Sequence, residues 1–221
     1  RALIPLKVKW VSQASIDATE DRELMDLMTK SGCLGNVVGF ESLDTRNLEA
    51  SGKQVNIAGA AYGYRDQLEI LKGYGLQTWA AFTLGYDWDD RDSIRRTVDF
   101  SMKNKFTFAA FNILMPYPWT EFYRKLEAEG RLLYNGTWWT NPEYRFNHAA
   151  YTPARMTAEE LTEGGFSCRK TFNSPLSIVR RAFQRKTNMA SLLRFGIYLL
   201  YAPLFRKETF KKQGMLLGTK A

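Results

Sequence analysis

The sequence has little histidine and little cysteine: His148, Cys33 and Cys168 are the members of these two types among 221 residues. A single histidine excludes a histidine-based metal cluster and a Ser-His-Asp arrangement within this chain, so we interpret His148 as structural. Two distant cysteines match neither a disulfide framework nor a metal-ligand spacing. Because thiols stay reduced in the cytosol, we expect a cytoplasmic protein.

Long apolar runs are also missing. The most apolar stretch, Leu192 to Phe205, has 14 residues and contains Arg194 and Pro203. A helix that spans a bilayer needs about 20 predominantly apolar residues. We therefore expect at most a peripheral contact with a membrane.

Acidic residues are scarce at the carboxyl end of the chain. From Arg169 to Ala221 there are 12 Lys and Arg residues and one acid, Glu208, whereas residues 1–168 hold 19 bases and 22 acids. This predicts a slightly acidic globular body followed by a basic tail. The tail either meets phosphates of lipid or nucleic acid or is a solvated helical face.

Short apolar segments alternate with helical patterns along the first part of the chain. Strands are predicted over 7–12, 36–42, 77–85 and 106–114, and helices over 20–31, 64–74, 89–104 and 120–129. This order predicts a parallel sheet covered by helices, as either a doubly wound sheet or a barrel segment. Four units are half of a full barrel, and the chain does not begin with Met, so we expect it to be part of a longer protein. Further along, Thr157 and Glu160 predict a capping box, and 175–213 is predicted to be helical.

Ligands of parallel β/α folds bind beyond the carboxyl ends of the strands. The polar candidates at these ends include Gln13, Asp17, Glu41, Ser42, Thr83, Gly85, Asp87 and Asn112. Glu41 ends an apolar strand, and burying a carboxylate without a partner costs several kcal/mol, roughly, so a partner or a ligand is expected. The structural alternative is an ion pair with Arg65 or Lys53.

Several segments carry a family resemblance. They are Trp10-Val-Ser-Gln-Ala-Ser-Ile-Asp, Val38-Gly-Phe-Glu-Ser with Gly52-Lys, Leu76-Gln-Thr-Trp-Ala-Ala-Phe-Thr-Leu-Gly-Tyr-Asp, and Asn112-Ile-Leu-Met-Pro-Tyr-Pro-Trp-Thr. In order and spacing they resemble successive strands of radical S-adenosylmethionine (SAM) enzymes, in particular the subgroup that often carries an N-terminal cobalamin-binding domain. The resemblance covers residues 7–133 and continues loosely into the basic tail.

The resemblance implies the C-terminal part of a partial (β/α)6 TIM-like barrel with parallel strands, followed by a helical basic tail. Residues 1–133 would hold the C-terminal β/α units of the barrel, and 134–221 a loop and helical extension. In this family a [4Fe-4S] cluster, held by a Cys-x3-Cys-x2-Cys loop, cleaves SAM to a 5′-deoxyadenosyl radical. The sequence contains no such triplet, so we expect about 100 or more residues upstream that carry it.

Residue roles follow from the resemblance. Glu41 matches a strand-end glutamate that contacts polar groups of SAM, and Gln13 lies near the ribose side. Thr83 to Gly85 match the strand that approaches the adenine, and Leu114 to Pro116 the segment that packs on it. The predicted cofactor-binding set is Gln13, Glu41, Ser42, Thr83, Leu84, Gly85, Asn112, Leu114, Met115 and Pro116.

The function implied is methylation, cyclisation or rearrangement of an unknown small-molecule or lipid-like substrate, with SAM, a [4Fe-4S] cluster and, in some members, cobalamin. One alternative is a non-catalytic barrel remnant whose basic tail binds RNA or an anionic membrane. Another is an unrelated barrel enzyme that uses Glu41 as a general base.

Overall fold

The computed structural model describes residues 1–217, so the last four residues of the predicted basic tail, 218–221, lie outside the described residues. Four parallel strands form one sheet in chain order: β1 Trp10–Ala14, β2 Cys33–Glu41, β3 Gln77–Leu84 and β4 Phe108–Ile113. The helices are α1 Arg22–Lys30, α2 Thr45–Ala50, α3 Gln54–Ala61, α4 Arg65–Gly73, α5 Arg91–Lys103, α6 Glu121–Ala128, α7 Ala158–Phe172, α8 Pro175–Ala182 and α9 Leu192–Lys212.

Most predicted elements are confirmed, and two of the differences lie in the first third of the chain. The first strand was predicted over 7–12 but occupies Trp10–Ala14, because a short 3-10 helix at Ile4–Leu6 precedes it and pairing with β2 begins at Trp10. The polar stretch 43–60 contains α2 and α3, and Asp44 caps α2 by accepting a hydrogen bond from the Arg46 amide. Local capping therefore organises a segment that has no clear apolar period.

One face of the sheet is covered by helices. Phe40, Phe82 and Phe111 lie there on adjacent strands, and their ring centroids are 5.5 and 5.7 Å apart in successive stacked pairs. The helices add buried side chains to the same core, among them Met25, Leu68, Ile94, Leu126 and Leu161. This burial of apolar surface is the main stabilising contribution to the fold.

The other face, which we call the open face, carries small side chains in its middle. Gly39, Ala81 and Ala110 are paired in register across β2, β3 and β4. A doubly wound sheet reverses its strand order, whereas this sheet keeps the order of the chain. The sequential order favours the barrel segment of the two predicted architectures.

The C-terminal extension packs against the sheet unit. The capping box of Thr157 and Glu160 is confirmed, and α7 packs against α5 and β4. The predicted helical region 175–213 is divided into α8 and α9, and α9 continues through Pro203. None of the helices within residues 1–217 is long and apolar enough to cross a membrane.

Arg181 fastens this extension to the sheet. The sequence places it in the basic tail with Arg180, but its side chain is 1% exposed. Its Nη1 donates hydrogen bonds to the carbonyls of Phe106 and Thr107, at 3.2 and 2.7 Å, and its Nη2 to the carbonyl of Phe172 at 2.9 Å. Burial lowers the pKa of Arg181 to about 10, and main-chain dipoles take the place of water. Arg181 therefore does not contribute to the exposed positive charge of the basic tail.

We expect Arg181→Ala to lower the free energy of unfolding by about 3 kcal/mol, because it leaves buried carbonyls without donors and opens a cavity. Arg180→Ala is the matched control: the neighbouring side chain is exposed, so the change should stay within about 0.5 kcal/mol. Urea unfolding of both variants measures the difference. If both variants lost the same free energy of unfolding, the buried hydrogen bonds of Arg181 would stabilise the fold no more than the exposed Arg180 does.

Candidate functional site

Four of the predicted residues lie on the open face near the carboxyl ends of the strands. Gln13 of β1 pairs in register with Val37, and Thr83 of β3 with Asn112 of β4. Gln13 and Asn112 are exposed, whereas Glu41 and Thr83 are half-buried. The structure therefore gathers Glu41, Thr83 and Asn112 along one edge of the sheet, whereas Gln13 lies on the same face at the level of Val37, four residues before Glu41.

Glu41 links two strands at this edge. Its Oε2 accepts a hydrogen bond from Thr83 Oγ1 at 3.0 Å, and its Oε1 lies 3.3 Å from Lys53 Nζ. The predicted ion pair with Lys53 is thus present. The Glu41 side chain remains 22% exposed, so its carboxylate stays within reach of a ligand on the open face.

The chain leaves the sheet at Glu41 in an unusual conformation. Glu41 has φ +61°, and the pairing register between β2 and β3 shifts at this point. The carbonyls that lose their ladder partners are held by helices: Asn56 Nδ2 donates to Gly39 O at 2.8 Å, and Tyr64 Oη to Phe40 O at 3.2 Å. These two buried side chains, which sequence analysis missed, hold the main chain that leads into Glu41.

Tyr86 is a further residue that sequence analysis missed. Burial, with a smaller contribution from the negative charge of Glu41, raises the pKa of Tyr86 to about 12, and its hydroxyl interacts with Thr83 and Ser51. The phenol is therefore neutral at physiological pH and can donate a hydrogen bond. A polar aromatic residue two positions after the end of β3 was the available signal.

Three predicted residues face away from the open face. Ser42 is buried, and its hydroxyl accepts hydrogen bonds from the amide of Asp44 and from Asn47 Nδ2. Leu84 is 2% exposed within the helix-covered core. Gly85 has φ +102°, and a Cβ there would lie 2.4 Å from the hydroxyl of Tyr151. These three residues therefore shape the chain at the ends of β2 and β3.

The segment after β4 leads into an aromatic cluster. Leu114 continues the ladder by donating its amide to the Leu84 carbonyl at 2.9 Å. Met115 lies between the main core and the cluster of Trp138, and the carbonyl of the buried Pro116 accepts a hydrogen bond from Trp138 Nε1 at 2.9 Å. The segment is thereby held at the carboxyl edge of the sheet.

Asp89 organises the turn that follows β3, and sequence analysis did not single it out. Its Oδ2 accepts hydrogen bonds from the amides of Gly85 and Tyr86, at 2.8 and 3.1 Å, and its Oδ1 from Asn47 and Ser93, at 3.0 and 3.1 Å. Burial raises the pKa of Asp89, although these hydrogen bonds act in the opposite direction. The carboxylate thus fixes the loop that carries Tyr86.

Asp17 and Asp87, two other strand-end candidates, do not join the cluster of Glu41. Asp17 is exposed in a 3-10 helix at Ile16–Glu20. Burial alone would raise the pKa of Asp87, but hydrogen bonds from Lys125 and Arg131 outweigh it and lower the value. Asp87 therefore serves an ion-pair network that joins the turn to α6 and the following loop.

A cavity of about 300 Å³ lies on the open face beside Asn112. Arg169 borders it and donates a hydrogen bond from Nη1 to the carbonyl of Phe111 at 2.6 Å. The aromatic side chains that line the cavity are Trp79, Phe108, Phe146 and Phe205. The combination of apolar walls with a few polar groups is typical of small-molecule sites.

The two cysteines do not suit a metal cluster. Both are buried and free, and burial raises the pKa of each thiol, that of Cys168 to about 12. Among residues 1–217 no group of three His, Cys, Asp or Glu side chains is placed to hold a metal ion. An iron–sulfur cluster needs several thiolates, so the described residues do not fit one.

We expect Asp89→Asn to lower the free energy of unfolding by about 1–3 kcal/mol, because an amide cannot accept hydrogen bonds at both of its ends. Asp92→Asn is the control: this carboxylate is 68% exposed and pairs with Arg95 at the surface, so its loss should cost within about 0.5 kcal/mol. Urea unfolding of both variants decides, and an unchanged Asp89→Asn midpoint would contradict the assignment.

Comparison with known proteins finds methyltransferases. No protein-family model matches the chain. It is similar to the bacteriochlorophyllide d C-12(1)-methyltransferase of Chlorobaculum tepidum, with 25% identity over 190 residues that cover 86% of this chain and 40% of that protein. An uncharacterized methyltransferase of Synechocystis sp. is 28% identical over 155 residues, which cover 70% of this chain and 28% of that protein.

A third relative is the hopanoid C-2 methylase of Rhodopseudomonas palustris, 22% identical over 156 residues that cover 66% of this chain and 29% of that protein. The chain spans less than half the length of each of these relatives. All three names denote methyl transfer, so the chain is related to enzymes, and in particular to methyltransferases.

Proposed function

We propose that this chain is the SAM-binding C-terminal part of a radical SAM methyltransferase, with the fold of a partial (β/α)6 barrel. The observation that carries the proposal is the row of Glu41, Thr83 and Asn112 on the open face, at the carboxyl ends of three adjacent strands. Ligands of parallel β/α folds bind at this position. The relationship to methyltransferases supports the reaction class.

The residues at this edge suit the polar groups of SAM. The Glu41 carboxylate accepts hydrogen bonds from hydroxyl and amino groups, while the amides of Gln13 and Asn112 both donate and accept. The small residues Gly39 and Ala81 leave the middle of the open face free for a flat ring. SAM bound here supplies the methyl group or, with a cluster held by other residues, a radical.

Unlike SAM, the [4Fe-4S] cluster and cobalamin are not assigned to residues of this chain. Because Cys33 and Cys168 are buried and their thiol pKa values are raised, we assign the cluster to residues outside this chain. Cobalamin stays a prediction from the resemblance. This chain contributes the binding and orientation of SAM and of the group that is methylated.

The cavity beside Asn112 is the proposed position for part of the substrate. Phe146 and Phe205 offer apolar contact, and Arg169 and Asn112 offer hydrogen bonds. This lining suits an apolar ring system that carries a polar substituent. The relatives are named for different molecules, a bacteriochlorophyllide and a hopanoid, so methyl transfer is the part of their function that we carry over. We place the reaction in the cytoplasm.

We expect Glu41→Gln to weaken SAM binding by roughly 1.5–3 kcal/mol, because it removes a charged acceptor of hydrogen bonds. The measurement is calorimetric titration of SAM into the protein encoded by the complete reading frame, with its cluster reconstituted under anaerobic conditions.

Lys53→Gln is the matched control for Glu41. It breaks the same ion pair but keeps the carboxylate, so SAM affinity should be retained while the melting temperature changes as in Glu41→Gln. Unchanged SAM affinity in Glu41→Gln, together with a lower melting temperature, would leave Glu41 with a structural role alone. Absence of both SAM binding and 5′-deoxyadenosine formation in the unmodified protein would overturn the proposed function.

A further inference from the structure

The outward faces of α8 and α9 carry large apolar side chains. On α8, Leu176, Val179 and Phe183, the last at its C-cap, are 60%, 54% and 61% exposed; on α9, Leu192, Leu200 and Leu204 are 91%, 64% and 49% exposed. A surface helix of a globular protein normally presents polar residues to water. A group of exposed apolar residues of this size marks an interaction site more often than a free surface.

These side chains are not needed by the protein core. The inner faces of α8 and α9 already pack, with Tyr198 and Ala202 buried against Phe108 and Ala182. The Tyr198 hydroxyl also donates a hydrogen bond to the Ile178 carbonyl at 2.6 Å and so joins the two helices. The inner faces of the two helices thus pack against the sheet, while their outer faces present apolar side chains to solvent.

Basic residues accompany the outward apolar side chains. Lys207 lies three residues after Leu204 and seven after Leu200 on α9, and Lys211 lies seven after Leu204, which places them on one helical face. Both are exposed, and Arg180 is exposed on α8. The surface therefore combines apolar groups with positive charge.

We propose that this surface, formed by the outward sides of α8 and α9, docks on an anionic lipid bilayer. A helix that lies in the membrane interface buries its apolar side chains at the boundary of the acyl chains and pairs its basic residues with lipid phosphates. RNA would engage the lysines and leave the leucines in water. A second copy of the chain would bring like charges together.

Additional barrel strands are a poor occupant of this surface. Strands that precede Arg1 would extend the sequential sheet at the free edge of β1, whereas α8 packs near β4 and α9 runs from the start of β2, where Arg194 donates to the Cys33 carbonyl, towards β4. The docking surface thus lies away from the position where such strands would pair.

The docking surface begins near the amino ends of the strands, and the later part of α9 runs beside the cavity, which its Phe205 and Thr209 help to line. Asn188, between α8 and α9, accepts hydrogen bonds from Gln77 and Thr107 at the starts of β3 and β4. Glu41 and Asn112 lie at the carboxyl ends. The outward side chains Leu200, Leu204, Lys207 and Lys211 do not line that cavity, and the proposal is independent of the proposed function.

Co-sedimentation of the 221-residue chain with vesicles tests the proposal, using vesicles with and without phosphatidylglycerol in phosphatidylcholine, at low and high salt. We expect binding to the anionic vesicles that falls with salt, and little binding to the neutral ones. The variant Lys207→Glu with Lys211→Glu should bind the anionic vesicles at least about thirty-fold more weakly, since the loss of each base contributes about a factor of five and the anionic surface repels the added carboxylates.

A second variant, Leu200→Ser with Leu204→Ser, should also lose binding, because the apolar contact is removed. The matched controls change equally exposed residues near β1: Lys9→Glu with Lys30→Glu, and Leu6→Ser with Val11→Ser. They should bind within about two-fold of the unmodified chain. All altered side chains are exposed, so circular dichroism should show unchanged folding.

Negligible binding at low salt would overturn the proposal, as would equal binding to neutral and anionic vesicles. Salt-sensitive binding to RNA that is lost in the lysine variant but kept in the leucine variant, with no vesicle binding, would assign the surface to nucleic acid instead.

Discussion

Parallel pairing of four strands in the order of the chain is the constraint on which the rest of this structure depends. Each right-handed crossover returns its helix to the same side of the sheet, so the large aromatic side chains of Phe40, Phe82 and Phe111 collect there. The opposite face keeps small residues, with Gly39 beside Ala81 in register. A half-covered sheet leaves apolar surface for a ligand or a further segment of chain to cover, and the cavity of about 300 Å³ lies on that face.

The hydrogen-bonding groups at the two ends of the strands are used differently. At the carboxyl ends the regular ladder is broken at Glu41, and hydrogen bonds from Asn56 and Tyr64 replace the lost pairing. At the amino ends Arg181 and Asn188 bind free main-chain and side-chain groups and close the sheet. The open end exposes polar groups that a ligand can engage, whereas the closed end anchors α8 and the start of α9, whose outer surfaces we assign to a membrane.

The sequence predicts the local features of this fold well because they depend on nearby residues. The alternation of apolar strands with helices and the capping box of Thr157 and Glu160 are short-range signals, and the structure contains them. The ion pair of Glu41 and Lys53 spans 12 positions and was also predicted. The missed features join distant segments: Asn47 meets Asp89 across 42 positions, and Arg181 meets Phe106 across 75. Composition cannot show which charged residue such contacts will bury.

The charged residues of this protein therefore differ in how completely internal partners fill their hydrogen-bonding positions. Asp89 accepts four hydrogen bonds from neutral groups and is 4% exposed, so a ligand would have to displace internal partners to reach it. Glu41 has the pairing of a surface ion pair, with 22% of its side chain exposed and Lys53 46% exposed. Such pairs are worth about 0–1 kcal/mol and exchange partners readily. Glu41 can thus be held in place by the fold and still be available to bind.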